Sequence, residues 1–181
     1  MEAKSIPPVN KRLCRVVAVL VAVSAIVILV FNAGGWLDPA ATEATAREAS
    51  GMLTEPVFIT PVVRWLGLGA TTLYQCVLVA GLLSMRTLFT RLAAGEVFVP
   101  ETGVLLRRFG TALLAYAALR PLVKAALSLL VTRDPVVGGA TLRVGITELE
   151  IIFALTGALI LIFGSVMADA TRIADENREI V

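Results

Sequence analysis

The sequence contains no histidine, and only two of its 181 residues are cysteines. Without histidine the chain lacks the commonest metal ligand, the usual haem ligand and the usual general base. Cys14 and Cys76 lie far apart and form no Cys-x-x-Cys motif, so the thiol pairs of a quinone-linked oxidoreductase are missing too. These absences argue against the commonest cofactor and redox chemistries, and we expect neither a cofactor nor a metal ion.

Charged residues are also scarce. They make up 17% of the chain, against roughly 25% in soluble domains, while 57% of the residues are hydrophobic. A soluble protein of this size could not cover so much apolar surface. The formal net charge of +2 is too small to indicate nucleic-acid binding. The composition therefore predicts an integral membrane protein whose first partner is the lipid bilayer.

Long apolar runs predict how the chain crosses that bilayer. A spanning helix needs about 20 predominantly apolar residues, and the windows that qualify are 16–36, 65–85, 109–131 and 151–168. The apolar run of the first window is longer than that of a signal peptide and no clean A-x-A site follows it, so we expect it to be retained. The pattern predicts an all-α four-transmembrane-helix bundle that forms one membrane domain, residues 1–181.

Lysines and arginines lie unevenly on the two sides of these spans. Eight lie in the segment before the first window and in the connector at 86–108, namely Lys4, Lys11, Arg12, Arg15, Arg86, Arg91, Arg107 and Arg108. The loops at 37–64 and 132–150 hold four, namely Arg47, Arg64, Arg133 and Arg143. Because cytoplasmic loops carry the excess of positive charge, we expect both chain ends, the connector and the tail at 169–181 to be cytoplasmic.

Short elements are expected between the spans. Asp38 followed by Pro39 is an N-cap and N1 pair, and Gly51 can end the helix that they begin. Gly95 is a stop signal within the connector. Apolar and other side chains alternate with a period of two over residues 142–147, which predicts a short strand or hairpin in the second outer loop.

Small residues indicate how the spans pack. Helices in lipid associate where small side chains let their backbones approach. The fourth span offers Ala154, Gly157, Gly164 and Ala168. We expect this face to lie against a neighbouring helix.

The third span places positive charge inside the bilayer. Tyr116, Arg120, Lys124 and Ser128 recur every four residues and share one helix face. Pro121 has no N–H to donate, so we expect a kink in this helix. Counted at 1.5 Å per residue from a boundary near residue 132, Arg120 lies about 18 Å deep. A charge at a helix centre costs about 2.5–3.5 kcal/mol, so these cations need partners or water.

The neighbouring spans offer candidate partners. We expect Arg120 to turn inward and to bond with Gln75, with two tyrosines or with the carbonyl that Pro121 leaves free, and Lys124 to reach the glutamates at the start of the fourth span. The predicted polar cluster consists of Arg120, Lys124, Gln75, Tyr116, Ser128 and Glu150. Two interpretations stay open: a structural polar cluster at a kink, or a water-filled vestibule, open to the outside, that attracts an anion or an anionic lipid headgroup.

The four windows contain no acidic residue, and no internal repeat relates the two halves of the chain. A proton-coupled antiporter needs a carboxyl group within the bilayer. Many secondary transporters are built from inverted repeats. Both absences argue against these transporter classes.

The connector carries four arginines, Arg86, Arg91, Arg107 and Arg108. They suit an amphipathic segment on anionic lipid headgroups, where each basic side chain contributes about 1 kcal/mol. They also suit a docking surface for a cytoplasmic protein. Both interpretations stay open.

Two stretches carry a family resemblance. "LFTRLAAGEVFVPETGVLLRRFG" (88–110) has a Gly-x-x-Phe step at Gly95 and Phe98 before a basic helix, and "MADATRIADENREIV" (167–181) has an acidic-Asn element and an aliphatic finish. With the four-span layout, these stretches resemble a bacterial membrane family, domain of unknown function 2975 (DUF2975). The resemblance implies no enzyme activity. It implies a partnership with small helix-turn-helix regulators, which are often encoded beside the members.

The sequence therefore predicts a non-enzymatic sensor or anchor of the bacterial cytoplasmic membrane that works with a cytoplasmic partner. No nucleophile stands beside a recognisable base, so we expect no enzyme. The alternative is a small transporter or channel subunit for an anionic solute, centred on Arg120 and Lys124. A homo-oligomer stays open.

Overall fold

The computed structural model describes residues 10–52, 54–95, 100–134 and 139–179, with the backbone alone for Pro100 and for 173–179. Within these ranges the chain forms five helices and no strand: α1 (Lys11–Leu37), α2 (Pro39–Ser50), α3 (Pro61–Ala94), α4 (Pro100–Thr132) and α5 (Glu148–Glu179). Lys4 and Phe98 lie outside the described residues, as do the last two residues of the tail.

Four of these helices, α1, α3, α4 and α5, are long and apolar enough to cross a membrane. The four predicted windows lie inside them. Large apolar side chains face outward along their length, such as Phe31, Leu73 and Phe163, which are 76%, 61% and 64% exposed. Side chains of this kind are at home against lipid tails. The prediction of an all-α four-helix membrane bundle is confirmed, and the protein is a multi-pass membrane protein.

Local sequence signals set the helix ends. Asp38 accepts a hydrogen bond from the amide of Ala40 at 3.0 Å, and Pro39 is the first helical residue of α2. Gly51 and Gly95 have φ angles of 73° and 101°, the left-handed conformation that commonly ends a helix. The predicted short helix and the predicted stop at Gly95 are confirmed.

The long helices form an open row rather than a closed ring. α3 packs against α1 and α4, α5 packs against α4, and α2 lies against α1, α3 and α4. Within the described part of the chain, no Cα atom of α1 comes within 8 Å of one of α5. We call the end that α2 covers the α2 side, and the opposite end, where α3 leads to α4, the connector side.

Towards the connector side, α4 and α5 approach until their backbones touch. A Cβ added at Gly110 would lie 2.7 Å from the carbonyl oxygen of Gly157, and one added at Gly157 would lie 2.9 Å from that of Gly110. Two helical turns further towards the connector side, a Cβ added at Gly103 would lie 2.8 Å from the carbonyl oxygen of Gly164. We call these four residues the glycine contact. The predicted small-residue packing of the fourth span is confirmed.

The α2 side has a hydrophobic cluster of its own. It joins Trp36 at the end of α1, Met52 after α2, and Leu127 and Val131 in the last turns of α4. Three of these side chains are fully buried, and Leu127 is 3% exposed. The amide of Phe58 donates to the carbonyl of Val131 at 2.7 Å, which fastens the segment before α3 to the same cluster. This cluster positions α2 over the gap between α1 and α5.

The segment 139–147 folds back along the last turns of α4. The amide of Thr141 donates to Thr132 Oγ1 at 2.8 Å, and the amide of Arg143 donates to Ser128 Oγ at 2.9 Å. The predicted strand or hairpin at 142–147 is therefore wrong. The alternating pattern is real, but the amide of Arg143 bonds to a side chain of α4, and no second strand pairs with the segment among the described residues.

Pro121 lies inside α4, which continues unbroken from Pro100 to Thr132. The proline ring has no N–H for the carbonyl of Ala117. The predicted kink at this point stays a prediction.

Candidate functional site

Arg120 of α4 forms an ion pair with Glu150 of α5. Its Nη1 donates to Glu150 Oε1 at 3.0 Å, and the glutamate side chain is 2% exposed against 25% for the arginine. A buried carboxylate of this kind costs several kcal/mol unless it is paired and hydrogen-bonded. The pair therefore ties α4 to α5 at the point where the glycine contact has ended.

The second oxygen of Glu150 is also occupied. Oε2 accepts a hydrogen bond from the amide of Thr147 at 2.7 Å and another from the Thr147 hydroxyl. Thr147 directly precedes α5, so the carboxylate caps the N-terminus of its own helix. A carboxylate near this end also complements the positive end of the helix dipole. Glu150 is thus held by its own helix before Arg120 reaches it.

This pairing differs from the predicted one. The sequence assigned the glutamates at the start of the fourth span to Lys124, but it is Arg120 that takes Glu150. The predicted bond between Gln75 and Arg120 is absent as well, since Gln75 Oε1 is buried with no hydrogen-bond partner among the described residues. Arg120 lines the same groove as Tyr74, but the side-chain hydrogen bond that it makes among the described residues is the one to Glu150. Glu150 pairs with Arg120 rather than with Lys124 because segment 139–147 folds back along α4 and brings the start of α5 to the level of Arg120.

Three aromatic rings adjoin the ion pair. Tyr116 stacks edge-on against Tyr74 of α3, with ring centroids 5.4 Å apart, and against Phe153 of α5 at 5.1 Å. Edge-to-face contacts of this kind contribute about 0.5–1.5 kcal/mol beyond the area that they bury. The rings join α3, α4 and α5 below Arg120 and form the floor of a groove.

The groove opens between α1 and α5 and has a volume of about 840 Å³. α3 and α4 form its base, α1 and the start of α5 form its sides, and α2 covers its upper end. The groove-lining residues that matter below are Ile28, Trp36, Glu48, Tyr74, Gln75, Tyr116, Arg120, Lys124 and Phe153. Four members of the predicted polar cluster, Gln75, Tyr116, Arg120 and Lys124, therefore line one groove.

Lys124 lies at the C-terminal end of α2. A Cβ added at Gly51 would be 2.7 Å from Lys124 Cε and 3.5 Å from its Nζ. The ammonium group therefore faces the negative end of the α2 dipole. No ion pair of Lys124 with a described carboxylate lies within 4 Å. It is the cation of the groove that keeps its charge uncompensated by a carboxylate.

Ser128, the remaining member of the predicted cluster, does not face the groove. It is fully buried, donates to the carbonyl of Ala125 at 2.7 Å and accepts from the amide of Arg143. Its role is to hold the fold-back segment.

The fold-back segment also indicates where hydrocarbon begins. Within the described part of the chain, the peptide groups of 144–146 have no hydrogen-bond partner, and their side chains are exposed. Such backbone is not stable in lipid tails, so the segment lies in water or among headgroups. α4, with 33 residues, is about 50 Å long, against about 30 Å of hydrocarbon. We infer that its last turns project beyond the hydrocarbon and that Arg120 lies nearer the boundary than the count from residue 132 predicts.

The loop after α2 carries a paired carboxylate, Glu55. Glu55 lies 3.6 Å from Arg143, and its backbone carbonyl accepts from Arg47 at 2.8 Å. Hydrogen bonding to its own backbone N–H is the main cause that lowers the pKa of Glu55, with Arg143 contributing. These contacts fasten the loop after α2 to the fold-back segment.

The connector arginines lie together at the opposite end of the bundle. Arg86, Arg107 and Arg108 are exposed. Arg91 Nη1 lies 3.7 Å from Glu101 Oε2. These two residues form the ion pair found among the described residues at this end. Arg91 and Arg108 line one shallow pocket of about 370 Å³ with Leu105 and Leu83.

Neither metal chemistry nor a known relative explains the site. The described ranges contain no group of three or more cysteine, aspartate or glutamate residues that could hold a metal ion. Comparison with known families, with curated proteins and with solved structures finds no match to this chain in any of the three.

Proposed function

We propose that the protein is a non-enzymatic sensor or anchor of the bacterial cytoplasmic membrane, and that its connector side meets a cytoplasmic protein. The observation that supports this proposal is the exposed basic surface of Arg86, Arg107 and Arg108. Surplus positive charge favours a cytoplasmic location. Exposed cations that form no ion pair with a described carboxylate attract acidic surfaces. A small helix-turn-helix regulator, the partner that the family resemblance implies, is the first candidate.

The proposal can be tested by capture of the intact protein in mild detergent. We expect one soluble protein to be enriched, and the enrichment to be lost when Arg107→Glu and Arg108→Glu are combined. The matched control combines Arg133→Glu and Arg143→Glu, an equal change of charge on the α2 side, and we expect it to leave the enrichment unchanged. Equal capture by both double variants, or no enrichment at all, would remove the support.

A second candidate function is a transporter or channel subunit for an anionic solute. One observation favours it, the uncompensated ammonium of Lys124 in an open groove. Arg120 argues less strongly for transport because Glu150 neutralises it. Anion flux into liposomes tests this candidate: we expect Lys124→Gln to reduce flux if the groove conducts, and absence of flux in the unmodified protein would eliminate it.

A further inference from the structure

The groove is open sideways towards the lipid tails. Its sides are α1 and the start of α5, whose described Cα atoms do not come within 8 Å of each other. Phe31 on α1 lines the groove and is 76% exposed, and Leu149 on α5 lines it and is 43% exposed. A molecule that enters from the bilayer therefore meets no barrier of protein between these two helices.

Polar and apolar side chains are separated along the groove. Glu48 and Lys124 lie at the end covered by α2, whereas Ile28, Leu78 and Phe153 lie towards the bundle interior. The fold-back segment indicates that the polar end stands at headgroup level. The groove thus has the polarity of a membrane lipid, with a charged end at the interface and an apolar end within hydrocarbon.

The polar end carries one charge of each sign without a partner. The Glu48 side chain is exposed and, like that of Lys124, makes no hydrogen bond or ion pair to another described residue. Both residues also line a smaller cavity of about 330 Å³ beneath Gly51. Charges of opposite sign that share a cavity without pairing are complementary to a ligand that carries both signs.

Two buried polar atoms of the lining lack partners as well. Trp36 Nε1 is a donor and Gln75 Oε1 an acceptor, and both are without hydrogen bonds in the described residues. Trp36 is fully buried. An unpaired buried polar group costs about 1–3 kcal/mol, so native proteins generally satisfy such atoms. A ligand with donors and acceptors of its own would relieve that cost.

We propose that the groove binds one phospholipid of the surrounding bilayer whose headgroup carries a phosphate and a primary ammonium. The phosphate lies at Lys124 and the ammonium at Glu48. The acyl chains descend between α1 and α5 over the rings of Tyr116 and Phe153. The same end of the groove suits a purely anionic lipid less well because Glu48 would face its phosphate. This proposal does not depend on a cytoplasmic partner.

Native mass spectrometry of the full chain in detergent tests it directly. The protein is equilibrated with equal amounts of phosphatidylethanolamine, phosphatidylcholine, which has no ammonium N–H, and phosphatidylglycerol, which has no ammonium. We expect one bound phosphatidylethanolamine, preferred about three- to tenfold over each of the others, as for one exposed charge-assisted contact. Equal retention of the three lipids would contradict the proposal.

Two charge variants assign the headgroup. Glu48→Gln is expected to abolish the preference for phosphatidylethanolamine over phosphatidylglycerol, and Lys124→Gln to weaken retention of all three lipids about three- to tenfold. The matched controls are Glu43→Gln on the outer face of α2 and Lys11→Gln at the start of α1, both expected to change nothing. Equal effects of the controls and the groove variants would overturn the assignment.

A third variant keeps every charge. Ile28→Trp is designed to fill the apolar part of the groove and is expected to remove the bound lipid without altering thermal stability by more than a few degrees. Retention of the lipid in this variant would place it elsewhere on the protein surface. Because the variant leaves Lys124 and Glu48 intact, the proposal stays testable even if a charge variant fails to fold.

Discussion

The two halves of the α4–α5 interface are held together by different kinds of contact. On the connector side the two backbones touch through Gly103, Gly110, Gly157 and Gly164. On the α2 side the same helices are joined by Tyr116 with Phe153 and then by Arg120 with Glu150. The glycine contact involves no polar side chain that would need water or another hydrogen-bond partner. It therefore suits hydrocarbon, where helices pack through small residues. Side-chain contact leaves room beside it, and the groove occupies that room.

The difference indicates which half is structural and which can bind. A glycine contact admits nothing between the helices, because any added atom would meet the opposite backbone. The ion pair and the three rings instead form a firm floor beneath an open groove. Adding a side chain within the glycine contact should therefore cost stability, while changes in the α2 half should divide into those that break the floor and those that only alter the groove.

The largest effect is expected from Gly110→Val. The new side chain would collide with the carbonyl of Gly157, 2.7 Å from the added Cβ, and force α4 and α5 apart. We expect a loss of about 3 kcal/mol in the free energy of unfolding, measured by unfolding in mixed detergent. The control is Gly69→Val, since nothing lies within 4 Å of a Cβ at Gly69; similar losses in both would mean that the glycine contact is not special.

A smaller loss is expected from Glu150→Gln. It leaves the guanidinium of Arg120 with a weaker acceptor in a mostly buried place. A broken buried pair costs about 3–5 kcal/mol, but Arg120 is 25% exposed, so we expect about 2 kcal/mol. Glu148→Gln, two residues earlier and exposed, serves as the control, and an equal loss there would remove the distinction between a buried and an exposed carboxylate.

Ser128→Ala is expected to cost about 1 kcal/mol, the usual contribution of one hydrogen bond. Its main effect is local, because the amide of Arg143 loses its acceptor. Hydrogen exchange at Arg143 should accelerate, while exchange at amides in the middle of α4 should not change. Unchanged exchange at Arg143 would show that the fold-back segment is held by other contacts.

The smallest effect is expected from Glu101→Gln on the connector side. Its ion pair with Arg91 is long, 3.7 Å, and both side chains are substantially exposed. Exposed pairs contribute about 0.2–1 kcal/mol at most, so we expect a change below about 0.5 kcal/mol. A loss as large as that of Glu150→Gln would mean that exposure does not separate the two ion pairs.

Much of the fold could be predicted from the sequence, because apolar length alone identifies helices that cross a membrane. Cap residues such as Asp38 and Gly95 act locally, so they too could be read directly. Glu150 was recognised as a candidate, but its partner was assigned wrongly. Pairing depends on where the start of α5 lies relative to α4, and that is set by tertiary bonds from 139–147 to Ser128 and Thr132. The open row of helices could not be predicted either, because helix order within a bundle depends on packing partners rather than on hydropathy.

The site illustrates the same limit. A four-residue spacing correctly indicated that Arg120 and Lys124 share a face of α4, and both line the groove. The spacing also suggested Ser128, which turns instead to the fold-back segment. Glu48 was not recognised, since nothing in the sequence signals that α2 folds over the gap between α1 and α5. The composition of α2 indicates only a polar surface helix.

A buried ion pair between Arg120 and Glu150 joins α4 to α5 beneath the groove, and a double-mutant cycle measures its strength. Unfolding free energies are measured for Arg120→Met, Glu150→Met and the double variant. We expect a coupling energy of at least about 1.5 kcal/mol, with the double variant more stable than either single one. Single effects that add to within about 0.5 kcal/mol would contradict it.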